Sequence, residues 1–183
     1  QTCALPIYNR LTDFYLQAPA SAHLRAAHEA GAVVMTPHPR AHALYADKRN
    51  LAVLSDAAQL AGLGVPQPGI DRLVAGIPYT TEVTPERAEA LWAARRTLFF
   101  KPFAGFGSRA TYRGDKLTQR VWQEILAGGY VAQRLATPSE RRVAVDGQRS
   151  DLKLDVRAYA YAGTLRLVAA RLYRGQTTNF RTP

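Results

Sequence analysis

The sequence predicts an α+β chain, in which helices and short strands alternate first and antiparallel strands follow. Residues 19–30 and 47–61 carry apolar side chains at helical spacing. Residues 152–161 instead alternate strictly between apolar and polar side chains, which is typical of a strand with one buried face. Ala162 and Gly163 form a two-residue turn after it, so we expect the chain to return as an antiparallel strand. Antiparallel strands after helix–strand alternation favour α+β over a single doubly wound sheet.

The alternation of short strands and helices predicts the edge of an α/β subdomain in the first third. The helix over 19–30 ends at Gly31, which can adopt the left-handed cap, and a short buried strand follows at 31–35. The helix over 47–61 leads into a turn-rich connector at 64–69. We therefore expect residues 8–69 to form this subdomain and its linker, and residues 70–183 to form a second domain.

The second domain begins with another helix–strand alternation. A hydroxyl, a proline and an acidic residue stand in order from Thr84, which is a strong helix start. The polar stretch 139–150 predicts an exposed loop. The remaining predicted elements are a helix over 84–96, strands at 98–101 and 110–113, a helix over 117–126 capped by Asp115, and strands at 130–135 and 164–173.

Composition excludes several classes of protein. Of the 183 residues, 47% are hydrophobic and 21% charged, the balance of a folded, water-soluble chain. No run of about 18 apolar residues exists, which excludes a transmembrane helix and argues against a membrane partner. The single cysteine, Cys3, cannot form an internal disulfide, and no Cys/His set has zinc-site spacing. A cytoplasmic location is expected.

The chain is strongly basic, with 24 Lys and Arg against 14 Asp and Glu and a formal net charge of +10. Such a charge attracts nucleic acid, acidic membranes or phosphorylated ligands. The four lysines are Lys48, Lys101, Lys116 and Lys153, and the other 20 basic residues are arginines, a bias that GC-rich coding also produces. A solvated basic surface and a polyanion-binding face are both open readings.

The two ends suggest a fragment. Residues 1–7 resemble the translation of a sequencing-library adapter, so we expect a non-native segment there, Cys3 included. The chain stops at Pro183 directly after a strand and a polar loop, without a closing element. We therefore expect the second domain to be truncated at its C-terminus.

The most informative segment is Lys101 with the small-residue loop over 102–109. A lysine at the end of a buried strand is costly unless a negative group meets its ammonium. Glycines at 105 and 107 allow backbone N–H groups to approach phosphate oxygens. At an effective dielectric constant of about 20, an ammonium about 4 Å from one phosphate charge gains about 4 kcal/mol. A glycine-containing hairpin with an exposed lysine is the alternative reading.

In its order of motifs the chain resembles the ATP-grasp superfamily, most nearly glutathione synthetases and the ligases that add glutamate to a ribosomal protein. The resemblance extends over most of residues 8–183. It is carried by Lys48 in an Asp-Lys pair, Lys101-Pro102 before the loop, the Val-Ala-Gln-Arg-Leu run at 131–135, Asp155-x-Arg157, Arg171 and Asn179.

The resemblance implies two α+β subdomains with a nucleotide cleft between them, preceded by the end of an α/β subdomain. It implies an ATP-dependent carboxylate–amine or carboxylate–thiol ligase that forms an acyl-phosphate, with ATP, Mg²⁺ and a small carboxylate or peptide as its partners. The implied roles are phosphate contacts for Lys48 and Lys101, a lid of Gly105, Phe106, Gly107 and Ser108, an adenine-facing hinge of Gln133, Arg134 and Leu135, transition-state charge stabilisation by Arg157 and Arg171, and a loop position over the triphosphate for Asn179.

Three departures from the family pattern bear on the site. Many relatives carry an acid where Gln133 stands, and the carboxylates that hold magnesium are not found, so its ligands are unknown. They are expected beyond Asn179, or elsewhere in a permuted member, with an ion pair favoured over a metal-ligand role for Asp155. The two-residue turn also puts Arg157 and Arg171 on opposite faces unless the turn has an odd number of residues or a bulge intervenes.

A different class of function stays open beside the ligase. A non-catalytic basic module for nucleic acid would explain the charge, and the ligase reading makes nucleic acid the less favoured partner. The two differ in salt dependence, because phosphate-backbone binding falls steeply with salt. The acyl donor, the acceptor and the oligomeric state are not encoded in a readable motif.

Overall fold

The computed structural model describes residues 5–145 and 147–175, residue 145 by its backbone alone. The described part contains both helices and strands, the latter in a two-stranded, a four-stranded and a three-stranded sheet, which confirms the α+β prediction. By its internal contacts the chain divides into two compact units, Gln1–Ile77 and Pro78–Pro183.

The first unit contains a parallel pair of strands with a helix between them. Strand β1 (Leu5–Tyr8) runs alongside β2 (Val33–Thr36), and helix α1 (Ala22–Glu29) connects them. Parallel strands joined through a helix are the α/β arrangement that the sequence predicts for this region. Four short helices follow, namely α2 (Pro39–Tyr45), α3 (Arg49–Leu54), α4 (Ala57–Gly62) and α5 (Gln67–Gly76).

The helix predicted over 47–61 is wrong as one element, because the chain breaks between α3 and α4. Asp56 leaves the helical conformation and becomes the N-cap of α4. Its carboxylate accepts hydrogen bonds from the backbone N–H of Ala58 at 2.9 Å and of Gln59 at 3.1 Å. An aspartate that satisfies two N-terminal amides starts a new helix at this point.

The connector predicted at 64–69 is shorter than expected, because α5 already begins at Gln67. A proline stands in its first turn, where the missing N–H costs nothing. Ile70 is buried on this helix. The domain boundary predicted after residue 69 therefore falls inside a helix, and the two compact units meet between Ile77 and Pro78.

The second unit begins with an antiparallel sheet in the strand order β3-β6-β4-β5. One face of this sheet packs against the helices through a core that includes Phe100, Ala132, Trp122 and Ile125. Its elements are β3 (Thr80–Glu82), a 3₁₀ turn (Pro85–Arg87), α6 (Ala88–Ala94), a second 3₁₀ turn (Arg95–Thr97), β4 (Leu98–Pro102), β5 (Tyr112–Arg113), a third 3₁₀ turn (Gly114–Lys116), α7 (Gln119–Leu126) and β6 (Tyr130–Arg134).

The start of α7 differs from the prediction, which gave Asp115 as its cap. Thr118 is the N-cap, and its hydroxyl accepts a hydrogen bond from the N–H of Val121 at 3.3 Å. Asp115 instead forms an ion pair with Arg113 at 3.1 Å. Gly114, beside this pair, packs so closely that an added Cβ would lie 1.9 Å from the carbonyl oxygen of Arg95.

The last sheet has three antiparallel strands in the order β7-β8-β9, with β7 at Ser139–Val145, β8 at Gln148–Tyr161 and β9 at Thr164–Tyr173. The exposed loop predicted at 139–150 is therefore wrong, since most of it is β7 and the start of β8. Most of its side chains are polar and its apolar residues at 143–145 are consecutive, so no apolar alternation marks it as a strand. A charged pair, Arg142 and Asp151 at 2.9 Å, lies across these two strands.

Candidate functional site

Lys101 lies near the end of β4, where a buried strand gives way to the glycine-containing loop. Its three preceding residues in β4 are buried, and Lys101 itself is half-buried. The Lys101 ammonium donates a hydrogen bond to Gln133 Oε1 at 2.6 Å. It also lies 5.7 Å from the centroid of the Phe99 ring, within the range of a cation–π contact. The strand thus holds the ammonium at a defined place beside the loop.

Gln133 is fixed by a second contact on its other side. It lies in β6 directly opposite Thr80 of β3, and both side chains are buried. Gln133 Nε2 donates to Thr80 Oγ1 at 2.9 Å, and the Thr80 hydroxyl donates to the Pro78 carbonyl at 2.8 Å. A continuous chain of hydrogen bonds therefore crosses three strands and ends at the Lys101 ammonium. We call it the Thr80–Gln133–Lys101 relay.

The relay lies on the sheet face opposite the helices. Directly paired residues of an antiparallel sheet share a face, and neighbours along a strand alternate. Phe100 pairs with Ala132, and both belong to the core under the helices. Lys101 and Gln133 each stand one position along from that pair, so they project to the other face.

The loop after Lys101, which the resemblance predicts to be a lid, contains four residues with positive φ. Gly105 and Gly107 have φ values of 137° and 63°, and Ser108 and Ala110 also adopt positive φ, at 59° and 51°. Side-chain-bearing residues rarely occupy this region, so two of them in three positions mark a strained segment. Phe106, at its tip, is exposed.

Two contacts organise this loop. The N–H of Phe103 donates to the carbonyl of Gly129 at 2.7 Å, which anchors the start of the loop to the turn before β6. The Arg109 guanidinium lies 5.2 Å from the centroid of the Phe106 ring. The loop is therefore tied at its base and closed on itself at its tip.

The segment predicted as an adenine-facing hinge uses its backbone donors within the protein. The N–H of Arg134 donates to the carbonyl of Tyr79 at 2.8 Å, and the N–H of Leu135 donates to the carbonyl of Thr97 at 2.8 Å. The Gln133 side chain is turned to Lys101. An adenine contact by this segment stays a prediction, and the N–H groups of Arg134 and Leu135 and the Gln133 side chain already have partners within the protein.

Lys48 lies in the first unit, immediately before α3, as the sequence predicts. Its neighbour Asp47 accepts hydrogen bonds from the backbone N–H of Arg49 at 2.8 Å and from the Arg49 guanidinium. Burial lowers the pKa of the Lys48 ammonium, against the opposing effect of the Asp47 charge. Lys48 and Lys101 belong to different units, so their convergence on one nucleotide stays a prediction.

Arg157 and Arg171 lie on the same face of the three-stranded sheet. Two adjacent register pairs, Tyr159 with Leu167 and Ala160 with Leu165, leave Arg166 as an extra residue, which makes a β-bulge. The bulge shifts the register by one residue, so Arg171 pairs with Asp155 and lies on the face that Arg157 shares. A bulge of this kind is what the sequence analysis requires if both arginines are to reach one ligand.

Arg171 is held by the carboxylate opposite it. Its Nε donates to Asp155 Oδ1 at 2.9 Å, and its Nη2 donates to Asp155 Oδ2. This two-point hydrogen bond raises the pKa of Arg171 above its ordinary value. The ion-pair role that the sequence favours for Asp155 agrees with this geometry.

Two features remain, which are the predicted role of Asn179 and the unknown ligands of magnesium. Asn179 falls outside the described residues. Within residues 5–145 and 147–175, no group of three or more His, Cys, Asp or Glu side chains could hold a metal ion. The helices of that same part are all too short or too polar to cross a membrane.

Comparison with known proteins finds similarity among solved structures. No protein-family model and no curated protein matches the sequence. Among solved structures, the chain is similar to the ATP-grasp ligase PsnB in complex with a minimal precursor, at 19% identity and a TM-score of 0.40. The match covers 94% of this chain and 57% of that one, so the chain spans little more than half of that ligase.

Proposed function

We propose that the chain is the nucleotide-binding part of an ATP-dependent ligase of the ATP-grasp type. The observation that carries the proposal is the position of the Lys101 ammonium. Lys101 lies near the end of a buried strand, and its ammonium donates a hydrogen bond of 2.6 Å to the neutral amide oxygen of Gln133. The strained glycine-containing loop follows it directly. An ordered cation beside the backbone amides of a glycine-containing loop suits a polyphosphate better than it suits a surface carboxylate.

In this proposal the reaction has two steps. A substrate carboxylate oxygen attacks the γ-phosphorus of ATP, the bond to ADP breaks, and an acyl-phosphate forms. An amine nitrogen or a thiol sulfur then attacks the acyl carbon, loses its proton, and displaces phosphate. Both steps develop negative charge on phosphoryl oxygens, which positive side chains stabilise.

The described residues divide these tasks between two sheets. Lys101 binds the phosphate chain, with residues 105–108 as the lid over it. Arg157 and Arg171 share a sheet face and neutralise the transferring phosphoryl group and the acyl-phosphate. The phosphate contact of Lys48, a residue of the first unit, stays a prediction from the sequence. Magnesium enters as the ion that accompanies the triphosphate, and a small carboxylate or a peptide is the substrate class.

Calorimetric titration of the full chain with MgATP tests the binding step. Lys101→Met removes the ammonium but keeps the apolar stem, and we expect at least a tenfold loss of affinity. Lys116→Met is the matched control, because Lys116 is an exposed lysine of the same unit outside the site. No MgATP binding at millimolar concentration, or equal affinity in both variants, would overturn the proposal.

Two further measurements separate the ligase from its alternative. Hydroxylamine traps an acyl-phosphate as a hydroxamate, so a longer chain that includes this one should form hydroxamate from carboxylate and ATP. The basic nucleic-acid module predicts instead that an oligonucleotide binds, that its affinity falls steeply with salt, and that Lys101→Met has little effect. That second pattern would contradict the ligase reading.

A further inference from the structure

We infer that Thr80 and Gln133 are positioning residues for Lys101. The buried Thr80 hydroxyl fixes the Gln133 amide so that its oxygen, and not its NH₂ group, faces the ammonium. The inference deepens the proposed function, and its consequence for nucleotide binding rests on that function. It also gives Gln133 a different task from the adenine contact that the family resemblance implies.

The direction of the relay follows from the chemistry of its first member. A proline has no N–H, and the Pro78 carbonyl can only accept, so the Thr80 hydroxyl must donate to it. The Thr80 oxygen can then only accept a hydrogen bond from Gln133, so Gln133 must donate from its Nε2. The remaining amide oxygen therefore points to Lys101. A flipped amide would place its oxygen against the acceptor lone pair of Thr80 and its NH₂ group against the Lys101 ammonium, so both hydrogen bonds would be lost.

Burial makes this orientation costly to change. Thr80 is 2% exposed and Gln133 is 8% exposed, so bulk water is kept from replacing either bond. A buried donor or acceptor left without its partner costs more than an exchanged hydrogen bond at the surface. The two side chains also lie directly opposite each other in the register of β3 and β6.

The partner that Thr80 orients is an amide and carries no charge. An amide oxygen holds the ammonium in place without cancelling its positive charge, whereas a carboxylate at the same position would form an ion pair with it. A polyphosphate would then have to compete with that carboxylate. Position 133 thus offers a way to change the charge of the site without moving Lys101.

Nuclear magnetic resonance of the Lys101 side chain tests the positioning role without nucleotide. The chain has four lysines, so selective ¹³Cε labelling and substitution of each lysine assign the Lys101 signal. We expect Gln133→Glu to raise the Lys101 pKa and Thr80→Val to change the Lys101 shift and its titration. Thr80→Ser, which keeps the hydroxyl, should restore the wild-type titration.

MgATP affinity tests the consequence for binding. We expect Gln133→Glu and Thr80→Val each to lose about tenfold in affinity, and Thr80→Ser to stay within about twofold of the wild type. Thr81→Val is the matched control. Thr81 is a buried threonine next in the same strand, where it accepts a hydrogen bond from Arg87, and it projects to the opposite face.

The outcomes distinguish the two proposals. An unchanged Lys101 titration in Thr80→Val and Gln133→Glu would overturn the positioning role, even if MgATP binds to Lys101. A changed titration in a chain that does not bind MgATP would support the positioning role and contradict the proposed function. Equal losses of affinity in Thr81→Val and Thr80→Val would reduce the relay to general stability and would also overturn the inference.

Discussion

Two cations of the second unit are held in opposite ways. Lys101 is fixed by the amide oxygen of Gln133, which contributes no charge, and the relay behind it is buried. Arg171 is fixed by the carboxylate of Asp155 at two points, with 24% of the Arg171 and 31% of the Asp155 side chain exposed. One partner orients a positive charge, and the other orients and neutralises it. A cation in this unit can therefore be held in place either with or without neutralisation of its charge, according to the type of its partner.

The two sheets that carry these cations also differ in their support. The sheet of Lys101 has a helical core on one face, where Phe100 is fully buried. The three-stranded sheet of Arg171 exposes apolar side chains over much of its length, including 62% of Val156 and 56% of Val168. Core packing supports the strand that carries Lys101, whereas Arg171 is held by an ion pair across two largely exposed strands.

The largest expected effect comes from the difference in packing. Phe100→Ala should lower the free energy of unfolding by about 3–5 kcal/mol, since it leaves a cavity in a filled core. Val156→Ala should cost less than about 0.5 kcal/mol, because its side chain is mostly in water. Urea denaturation of both variants measures the two values. Similar losses would mean that the three-stranded sheet is supported as firmly as the other.

The sequence predicts the long strands of the second unit better than the contacts that hold its cations. The strict alternation of residues 152–161 and the turn at Ala162-Gly163 are sufficient to predict β8 and β9, and both strands are confirmed. The prediction at 139–150 is wrong because this mostly polar segment, with a charged pair of Arg142 and Asp151 across the strands, shows no apolar alternation. Strand pairing, and not hydrophobicity, defines that segment.

The relay could not be predicted from the sequence alone. Thr80 precedes Gln133 by 53 positions, and only the register of β3 with β6 brings them together. A three-residue strand is too short to show an alternation that could be read. The one local signal was a threonine two residues after Pro78, a spacing at which a hydroxyl can bond back to a carbonyl.

The bulge in β9 could be predicted in part, since the sequence indicated that it was needed but not where it would lie. The two-residue turn indicated that Arg157 and Arg171 would face opposite ways unless one strand carried an extra residue. No residue type marks Arg166 as that extra residue, since the bulge depends on how both strands pack. The sequence therefore predicts that a bulge is needed for the two arginines to share a face, and only the strand register shows where that bulge lies.

A second prediction makes the partner of Arg171 neutral, as that of Lys101 is. Asp155→Asn keeps a hydrogen-bond acceptor opposite Arg171 but removes the negative charge, so we expect MgATP affinity to rise about threefold at low salt, an effect of the size of a part-exposed ion pair. The gain should shrink as salt is added. Calorimetric titration at two salt concentrations measures it, with Asp151→Asn as the control because Asp151 already pairs with Arg142 on neighbouring strands. A loss of affinity would mean that the carboxylate serves Arg171 by orientation alone.

The smallest expected effect is a difference in acid sensitivity between the two sheets. The hydrogen bond from Arg142 holds the pKa of Asp151 below its ordinary value of 3.8. A carboxyl whose pKa is lowered by folding contributes stability above about pH 4 and loses that contribution as the pH falls through the folded value. The Thr80–Gln133–Lys101 bonds contain no carboxyl group, so they should persist over that range.

Amide hydrogen exchange at pH 5 and below pH 3 compares the two sheets directly. We expect protection to fall along β7 and the start of β8 while it is kept in β3 and β6. Asp151→Asn should remove the pH dependence of the first pair of strands, because it removes the group that titrates. If both sheets lost protection together in acid, the cations of this unit would share one cooperative scaffold, and the contrast between a packed and an ion-paired cation would no longer describe how each is held.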